Sequence, residues 1–258
     1  MAKDFIDHLH QTIRLDQKPN RIVSLVPSQT ELLADLGLEQ EVVGITKFCI
    51  YPEKWFKEKT RVGGTKTVDI EKVRQLQPDL IIGNKEENTA SDIQALQSIA
   101  PVWMSDIENL EDALNMIHSV GLMCEKQEQA TLLIQEISEA FGKIQPLKSP
   151  KNVLYFIWDE PKFVAGKNTF VDAMIHKCGF INCCTETRYP EWNGTTETID
   201  IVFLSSEPFP FKENHIKEFQ NKFPTAKIVL VDGEYFSWYG SRLKDAPDYF
   251  QALIQQLT

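Results

Sequence analysis

Short runs of β-branched and aliphatic residues alternate along the chain with stretches whose apolar positions recur every three or four residues. The runs predict strands, and the stretches between them predict helices or polar loops. In the first half, the predicted strands cover residues 21–26, 42–46, 79–82 and 101–103. Strands that alternate with helices are typical of a parallel sheet with crossover helices.

The second half repeats this pattern. Predicted strands cover residues 152–157, 201–204 and 227–231, and predicted helices cover residues 170–177, 215–223 and 244–257. The sequence therefore predicts an α/β protein with two sheets.

Residues 125–144, between the two halves, carry an apolar stripe that predicts one amphipathic helix. At 1.5 Å per residue it would be about 30 Å long, roughly the width of a domain. Prolines at 146 and 150 favour an end shortly after it. Two interpretations stay open from periodicity alone: a helix that joins two domains, or a long surface helix in one sheet domain. The stripe consists of Ala130, Leu133, Ile134, Ile137, Phe141 and Ile144.

The loop after the first predicted strand is the first candidate for ligand binding. Ser28 and Glu31 have the spacing of a capping box, which predicts a helix that runs to Leu36 and stops at Gly37. Residues 26–28 then lie at the carboxyl end of the strand. In open parallel sheets, ligands usually bind at that edge.

Composition and charge exclude several classes of protein. The 258 residues include 27 lysines and arginines against 37 aspartates and glutamates, for a net charge of −10. Such an acidic chain is not expected to bind nucleic acid, which requires a basic surface. The N-terminus is interrupted by charges and lacks the apolar core of a secretory signal, and no segment has the length of a membrane helix. Taken alone, this sequence predicts a cytoplasmic protein unless a leader precedes it.

The chemistry of the sequence favours binding over catalysis. Nucleophile-elbow, Walker, dinucleotide-binding and zincin motifs are absent, so neither an enzyme nor a resident cofactor is predicted. The five cysteines are expected to be reduced thiols. His176, Cys178, Cys183 and Cys184 lack zinc-site spacing, and the N-terminal histidines, His8 and His10, are expected at a frayed end. An enzyme that acts through Cys49 or Glu234 remains the alternative.

Aromatic residues are frequent in the predicted loops. Loops are normally polar, so rings there indicate a ligand cleft, and their rigid faces suit a large flat ligand; about half of them are expected to cover sheet ends instead. Arg242 is the one cation among these rings. It would meet a ligand carboxylate or phosphate, or pair with Asp245 or Glu234. The aromatic residues are Phe48, Tyr51, Trp55, Phe56, Trp158, Phe163, Tyr189, Trp192, Tyr235, Phe236, Trp238 and Tyr239.

A series of short motifs resembles a known family. The motifs are RIVSLVPSQTELL at 21–33, VGI at 43–45, YP at 51–52, VGG at 62–64, DIEKV at 69–73 and QPDLII at 77–82. In this order they resemble the helical-backbone (class III) substrate-binding proteins of ABC importers. The likeness continues more weakly at 163–166, 178–179, 188–190 and 232–242. It is nearest to the cobalamin (vitamin B12) binders, with iron-siderophore and haem binders as relatives.

The resemblance implies a fold and a function. The expected fold has two Rossmann-like lobes with central parallel sheets, residues 1–122 and 148–258. One long rigid helix within residues 123–147 joins them, and the ligand cleft lies between the lobes. The expected function is to bind a metal chelate (cobalamin or another corrinoid, an iron-siderophore or haem) as a periplasmic monomer and deliver it to an ABC permease. The alternative is a cytoplasmic relative that handles a corrinoid or metal chelate, including as an enzyme.

The resemblance also implies site residues. The ligand-binding candidates are Pro27, Phe48 or Tyr51, Phe163, Trp192 and Arg242. Two tryptophans of the cobalamin binders have no counterpart: residues 62–67 contain none, and Asn84-Lys85 stand at the other position. The permease-docking candidates are Glu71, which matches well, and Glu197, which matches loosely.

Overall fold

A computed structural model describes residues 2–194 and 198–258 of the chain, so Glu197 lies outside the described residues. The chain divides into two compact units. The first unit is Met1–Asp106, Glu111–Ile137 and Tyr239–Arg242. The second unit is Ile107–Leu110, Ser138–Trp238 and Leu243–Thr258.

The first unit begins with an antiparallel hairpin, β1 (Lys3–Ile6) and β2 (Thr12–Leu15). The Asp7 carboxylate accepts hydrogen bonds from the backbone N–H groups of Leu9 and Gln11, at 2.9 and 2.8 Å, and so closes the turn. The His8 ring packs edge-on against Trp103 with 5.3 Å between centroids. The expectation of a frayed N-terminus was therefore wrong, because the turn and the His8 ring are both held by side-chain contacts.

The strands of the first unit form one parallel five-stranded sheet and a small antiparallel hairpin. Their bounds are β3 (Ile22–Ser24), β4 (Val42–Ile45), β5 (Thr60–Arg61), β6 (Gly63–Gly64), β7 (Thr67–Val68), β8 (Leu80–Asn84) and β9 (Val102–Ser105). The sheet order is β5-β4-β3-β8-β9, and β6 pairs with β7. All residues of β3, β8 and β9 are buried, as expected for parallel strands covered on both faces.

Five helices alternate with these strands: α1 (Pro27–Asp35), α2 (Glu53–Glu58), α3 (Ile70–Leu76), α4 (Ala90–Gln97) and α5 (Leu110–Met123). The predicted capping box of α1 was wrong. Val26 is the N-cap residue and Pro27 takes the first helical position, where its missing N–H costs nothing and its fixed φ suits the helix. Ser28 is therefore inside the helix, and the Glu31 carboxylate binds Arg242 instead.

Helix α6 (Gln127–Gly142) lies where the apolar stripe predicted it. Ala130, Leu133, Ile137 and Phe141 of the stripe are buried. The helix starts after Glu125, whose φ of 55° is incompatible with a right-handed helix, so α5 and α6 are separate. The boundary between the two units falls inside α6, after Ile137. The three-part division of the chain stays a prediction.

The second unit has its own sheet, built on parallel strands. Its strands are β10 (Asn152–Trp158), β11 (Phe163–Val164), β12 (Ile181–Asn182), β13 (Ile201–Ser205) and β14 (Lys227–Val231). The order is β11-β10-β13-β14, with β12 also on β10, and only β11 is antiparallel among these described strands. Its helices are α7 (Phe170–Lys177), α8 (Glu213–Lys222), α9 (Gly233–Ser237) and α10 (Ala246–Leu257).

An aromatic core packs the second sheet against α8. The Phe156 ring lies edge-on to Phe219 at 4.9 Å and tilted to Phe223 at 5.9 Å. Such ring pairs add about 0.5–1.5 kcal/mol beyond the area they bury. Each unit thus has its own core around a parallel sheet, and the predicted α/β fold with two parallel sheets is confirmed. In residues 2–194 and 198–258, no helix is both long enough and apolar enough to cross a bilayer.

Candidate functional site

The loop that leaves β4 is anchored from below by a buried thiol. Cys49 is fully buried, and its Sγ lies 3.1 Å from the hydroxyls of both Thr30 and Thr46. Burial raises the pKa of this thiol above its usual value, although the two threonine hydrogen bonds act in the opposite direction. Cys49 is therefore a protonated packing residue that fixes the loop, and the alternative of a Cys49 nucleophile gains no support from its surroundings.

The neighbours of Cys49 point the other way and form an exposed apolar group, called here the apolar loop: Phe48, Ile50 and Tyr51. Their exposed fractions are 51%, 44% and 39%. They lie just beyond the carboxyl end of β4, the edge of a parallel sheet at which ligands bind. Three exposed apolar side chains close together on a loop that a buried residue holds in place form a candidate binding surface.

Phe48 lies over the β6–β7 hairpin, where glycine leaves room for it. A Cβ atom on Gly64 would come within 3.2 Å of the Phe48 ring and 2.9 Å of the Thr67 hydroxyl. The Lys47 ammonium is 5.0 Å from the centroid of the same ring, which is a cation–π distance. The second glycine of the VGG motif therefore leaves the space that the Phe48 ring occupies.

Tyr51 is joined to helix α1 through Arg242. The Arg242 guanidinium lies 4.7 Å from the Tyr51 ring centroid. Its Nε and Nη2 donate to Glu31 Oε2 and Oε1 at 3.0 and 2.7 Å, a two-point ion pair. The Glu31 and Arg242 side chains are 19% and 17% exposed. Arg242 therefore pairs with Glu31, a partner that the sequence did not suggest.

The segment that carries Arg242 packs closely on the start of α1. A Cβ atom on Gly240 would lie 2.4 Å from the Ser28 carbonyl oxygen. Pro27 is half-buried at the first position of the same helix. Within the first unit, the structure thus brings Tyr51 and Arg242 together and places both beside α1, while Phe48 shares the loop of Tyr51.

The two candidates of the second unit are neighbours through backbone pairing. Phe163 is half-buried in β11 and forms a bridge with Glu191, and the N–H of Trp192 donates to the Lys162 carbonyl at 2.7 Å. The half-buried Trp192 ring packs on Phe156 at 5.8 Å and on the adjacent core. Trp192 therefore contributes to packing in the second unit, and its contact with a ligand stays a prediction.

Trp158 and Ile50 are exposed apolar residues that the sequence-based site set left out. Trp158 is 40% exposed at the carboxyl end of β10, and its register partner in β11 is Phe163. Its ring lies edge-on to Phe209 at 5.6 Å. The signal for Trp158 was present, since it directly follows the predicted strand at residues 152–157 and was among the loop aromatic residues. The exposure of Ile50 follows from the inward turn of Cys49, which sequence periodicity does not reveal.

Asn84 is a structural residue where the cobalamin binders were expected to carry a tryptophan. It is 2% exposed, and its amide nitrogen donates to the Ser105 hydroxyl at 2.9 Å. Its amide oxygen accepts from the N–H groups of Glu86 and Glu87, which shapes the loop after β8. Lys85 is exposed and pairs with Asp106 at 2.5 Å. A polar turn therefore replaces the aromatic surface at this position.

Glu71 is exposed in the first turn of α3. Its side chain is 71% exposed, and Oε1 lies 3.2 Å from Arg74 Nε. The helix is capped by Asp69, whose carboxylate accepts from the Lys72 N–H at 3.1 Å. A carboxylate near a helix N-terminus gains about 0.3–1 kcal/mol from the helix dipole. The position of Glu71 is therefore explained by helix stability and does not require a partner protein.

Metal-binding geometry is absent from residues 2–194 and 198–258: no group of three or more His, Cys, Asp or Glu side chains could hold an ion. Burial raises the pKa of the Cys178 thiol to about 12. His176 lies 3.4 Å from Asp172. The cysteines near His176 therefore pack the interior of the second unit.

Three comparisons place this chain among known proteins. The sequence profile of a family described as periplasmic binding protein matches residues 22–207, more than half of the chain. An uncharacterized ABC transporter substrate-binding lipoprotein, YvrC of Bacillus subtilis (strain 168), is 28% identical over 66% of this chain, and the match spans only 57% of that lipoprotein. A vitamin B12-binding protein of Pectobacterium atrosepticum is 22% identical, over 87% of this chain and 85% of its own length.

Among solved structures, the petrobactin-binding protein YclQ from Bacillus subtilis superposes with a TM-score of 0.80. The superposition covers 99% of both chains at 17% sequence identity. At that identity the likeness shows the fold alone.

Proposed function

Since the chain belongs to the periplasmic binding protein family, we propose that it is the substrate-binding component of an ABC importer and that its substrate is a metal chelate. The chelate classes that fit are a corrinoid such as cobalamin, an iron-siderophore and haem. Relatives of this chain carry names that refer to vitamin B12 and to ABC transporter substrate binding. Both names agree with the prediction from the sequence motifs.

The observation that carries the proposal is the apolar loop. Phe48, Ile50 and Tyr51 remain 51%, 44% and 39% exposed. Burying a large apolar side chain gains about 1.5–3 kcal/mol, so leaving three of them in water forgoes a substantial stabilisation. The loop is held by Cys49 beneath it, so the side chains are presented in a fixed position at low entropic cost. A large, partly apolar ligand such as a chelate ring gains affinity by covering them.

Binding without catalysis fits the surroundings of these residues. Two polar side chains considered for the site are engaged in structural contacts: Arg242, next to Tyr51, pairs with Glu31, and Asn84 donates to Ser105. The family members are binding proteins. We therefore assign the chain a binding role rather than an enzymatic one.

Cobalamin itself is not singled out among the chelates. Lys85 and Asn84 occupy one of the positions at which a tryptophan of the cobalamin binders was expected, and Asn84 is committed to the turn after β8. The proposal therefore includes chelates of similar size whose peripheral groups differ from those of cobalamin. The three chelate classes are therefore tested side by side.

The relatives also suggest where the protein works and what it meets. One of them is a substrate-binding lipoprotein, and the family is described as periplasmic, so we place this chain outside the cytoplasmic membrane, next to an ABC permease. The cytoplasmic alternative receives no support from these comparisons. Glu71, exposed on α3, is the proposed docking carboxylate of the first unit.

The experiment that tests the proposal is a binding titration of matched variants. Phe48→Ser should weaken the binding of the tightest chelate about tenfold or more, because a largely exposed ring that the ligand covers loses its contact area. Leu132→Ser is the control, since Leu132 is 64% exposed on α6 and does not belong to the apolar loop. Equal affinity of Phe48→Ser and wild type would remove the apolar loop from the binding site.

A further inference from the structure

Arg242 is held in place from two sides within the first unit. Its guanidinium makes the two-point ion pair with Glu31, at 3.0 and 2.7 Å, and one face of the same group covers the Tyr51 ring at 4.7 Å. Both charged side chains are less than one-fifth exposed. A planar guanidinium can serve a carboxylate at its edge and an aromatic ring at its face at the same time, which a lysine cannot do.

The backbone before Arg242 packs closely against α1, which fixes the position of the arginine. Gly240, two residues earlier, lies so close to α1 that a Cβ atom would come within 2.4 Å of the Ser28 carbonyl oxygen and 3.4 Å of the Leu32 side chain. The segment Tyr239–Arg242 belongs to the first unit although its sequence neighbours Trp238 and Leu243 do not. The chain thus brings Arg242 to Glu31 across 211 positions in the sequence.

From this geometry we infer that Arg242 is a positioning residue for Tyr51, and that Glu31 orients Arg242 for this purpose. The inference rests on the proposed function, in which the exposed Tyr51 ring contacts the chelate. It differs from the role that the family resemblance implied, in which the late arginine meets the ligand directly. The charge of Arg242 is matched by Glu31, so an anionic ligand group gains little by approaching it.

The two roles predict opposite effects for one substitution. If Arg242 positions Tyr51, Glu31→Gln removes the ion pair that holds the guanidinium against the Tyr51 ring. Chelate binding should then weaken about three- to tenfold, the range expected from loss of a partly buried cation–π contact. If Arg242 instead meets an anionic group of the ligand, Glu31→Gln removes the competing carboxylate and tightens binding. The sign of the change therefore decides between them.

The experiment is a double-mutant cycle with cyanocobalamin, haemin and a ferric tris-catecholate as probes, using the tightest of the three. We expect Arg242→Gln and Glu31→Gln each to weaken binding about three- to tenfold in wild type, and Arg242→Gln to change affinity less than about twofold in a Tyr51→Ala background. Additive losses in that background, tighter binding by Glu31→Gln, or no effect of either variant would overturn the inference. Glu53→Gln, which breaks the exposed pair of Glu53 with Lys57, is the matched control.

A measurement without ligand separates this inference from the proposed function. Amide hydrogen exchange of residues 46–52 should accelerate in Glu31→Gln and Arg242→Gln but not in Glu53→Gln, since only the first two release the Tyr51 ring. If no probe binds wild type, the proposed function fails, and the exchange data alone decide whether Arg242 positions the loop. Unchanged exchange in both variants would overturn the positioning role.

Discussion

All five cysteine side chains are buried, and none of them is bridged to another in the described part of the chain. Desolvation raises the pKa of the thiols of Cys49 and Cys184, and it raises the pKa of Cys124 and Cys178 to about 12. Because the thiolate is the reactive form, a raised pKa keeps these groups protonated and inert at neutral pH. The reduced thiols predicted from the odd number of cysteines agree with this arrangement.

Thiol labelling should therefore be slow in the folded protein. With a disulfide reagent near neutral pH, we expect almost no release of chromophore from native protein, because buried, protonated thiols do not react. After unfolding in guanidinium we expect five equivalents, one per cysteine of the sequence. Rapid labelling of even one native thiol would show that the burial is not maintained in solution.

Two glycines provide a matched test of close packing. Gly240→Ala should destabilise the protein by about 1–3 kcal/mol, because its Cβ atom meets the Ser28 backbone at 2.4 Å and cannot be accommodated by a side-chain shift. In Gly142→Ala, in α6, the new Cβ would meet no atom of the described residues within 4 Å apart from its own helix. This substitution should be neutral or stabilising by up to about 1 kcal/mol. Urea unfolding measures both; equal effects of the two substitutions would contradict the packing of residues 239–242 on α1.

The ion pair of Arg242 shows where reasoning from sequence ends at this scale. The sequence offered a ligand anion, Asp245 or Glu234 as the partner of Arg242, whereas Glu31 is 211 positions away. Only the folded chain brings α1 and residues 239–242 together. The exposure of Phe48 and Tyr51 was foreseeable as aromatic content of a loop, but the buried turn at Cys49 that presents them was not.

At the scale of elements, the longer helices and strands with a clear hydrophobic pattern were predictable from the sequence. The seven predicted strands all exist within a few residues, and the predicted bounds of α7 and of β14 coincide with the observed ones. The two-residue strands β5, β6, β7, β11 and β12 were not predicted, because pairing with a neighbour defines them rather than their own composition. The start of α1 was misplaced because Pro27, one residue before Ser28, takes the first helical position.

Helix α3 offers a test that separates stability from docking. The Glu71 side chain is 71% exposed, and its ion pair with Arg74 lies at the surface. Glu71→Ala should therefore leave the free energy of unfolding within about 0.5 kcal/mol of wild type, as is usual for surface substitutions. In cells that depend on this protein for chelate uptake, the same variant should lower the uptake rate while chelate affinity in vitro stays unchanged.

Asp69→Ala is the contrasting variant in the same helix. The N-cap hydrogen bond from the Lys72 N–H is lost in this variant. Its loss should cost about 1 kcal/mol of stability. If cells with Glu71→Ala take up chelate at the wild-type rate, the proposed docking role of Glu71 is wrong, whatever Asp69→Ala does.

At the scale of the whole molecule, the order of short motifs predicted the family, and the match of residues 22–207 confirms it. The net charge of −10 and the absence of catalytic motifs pointed in the same direction, away from nucleic acid and from catalysis. Sequence reasoning could not identify the ligand, because specificity depends on a few side chains at the carboxyl ends of strands. Asn84, folded into a turn instead of facing solvent, is one example.

The central claim is that this protein binds a metal chelate, and a fluorescence titration tests it most directly. Trp158 is 40% exposed at the end of β10, so bound chelate in its vicinity should quench its emission. Cyanocobalamin, haemin and a ferric tris-catecholate are titrated into the protein with correction for their absorbance. We predict saturable quenching by at least one of them at one equivalent, with a Kd below about 1 µM. The absence of saturable quenching by all three, in protein shown to be folded, would contradict the claim.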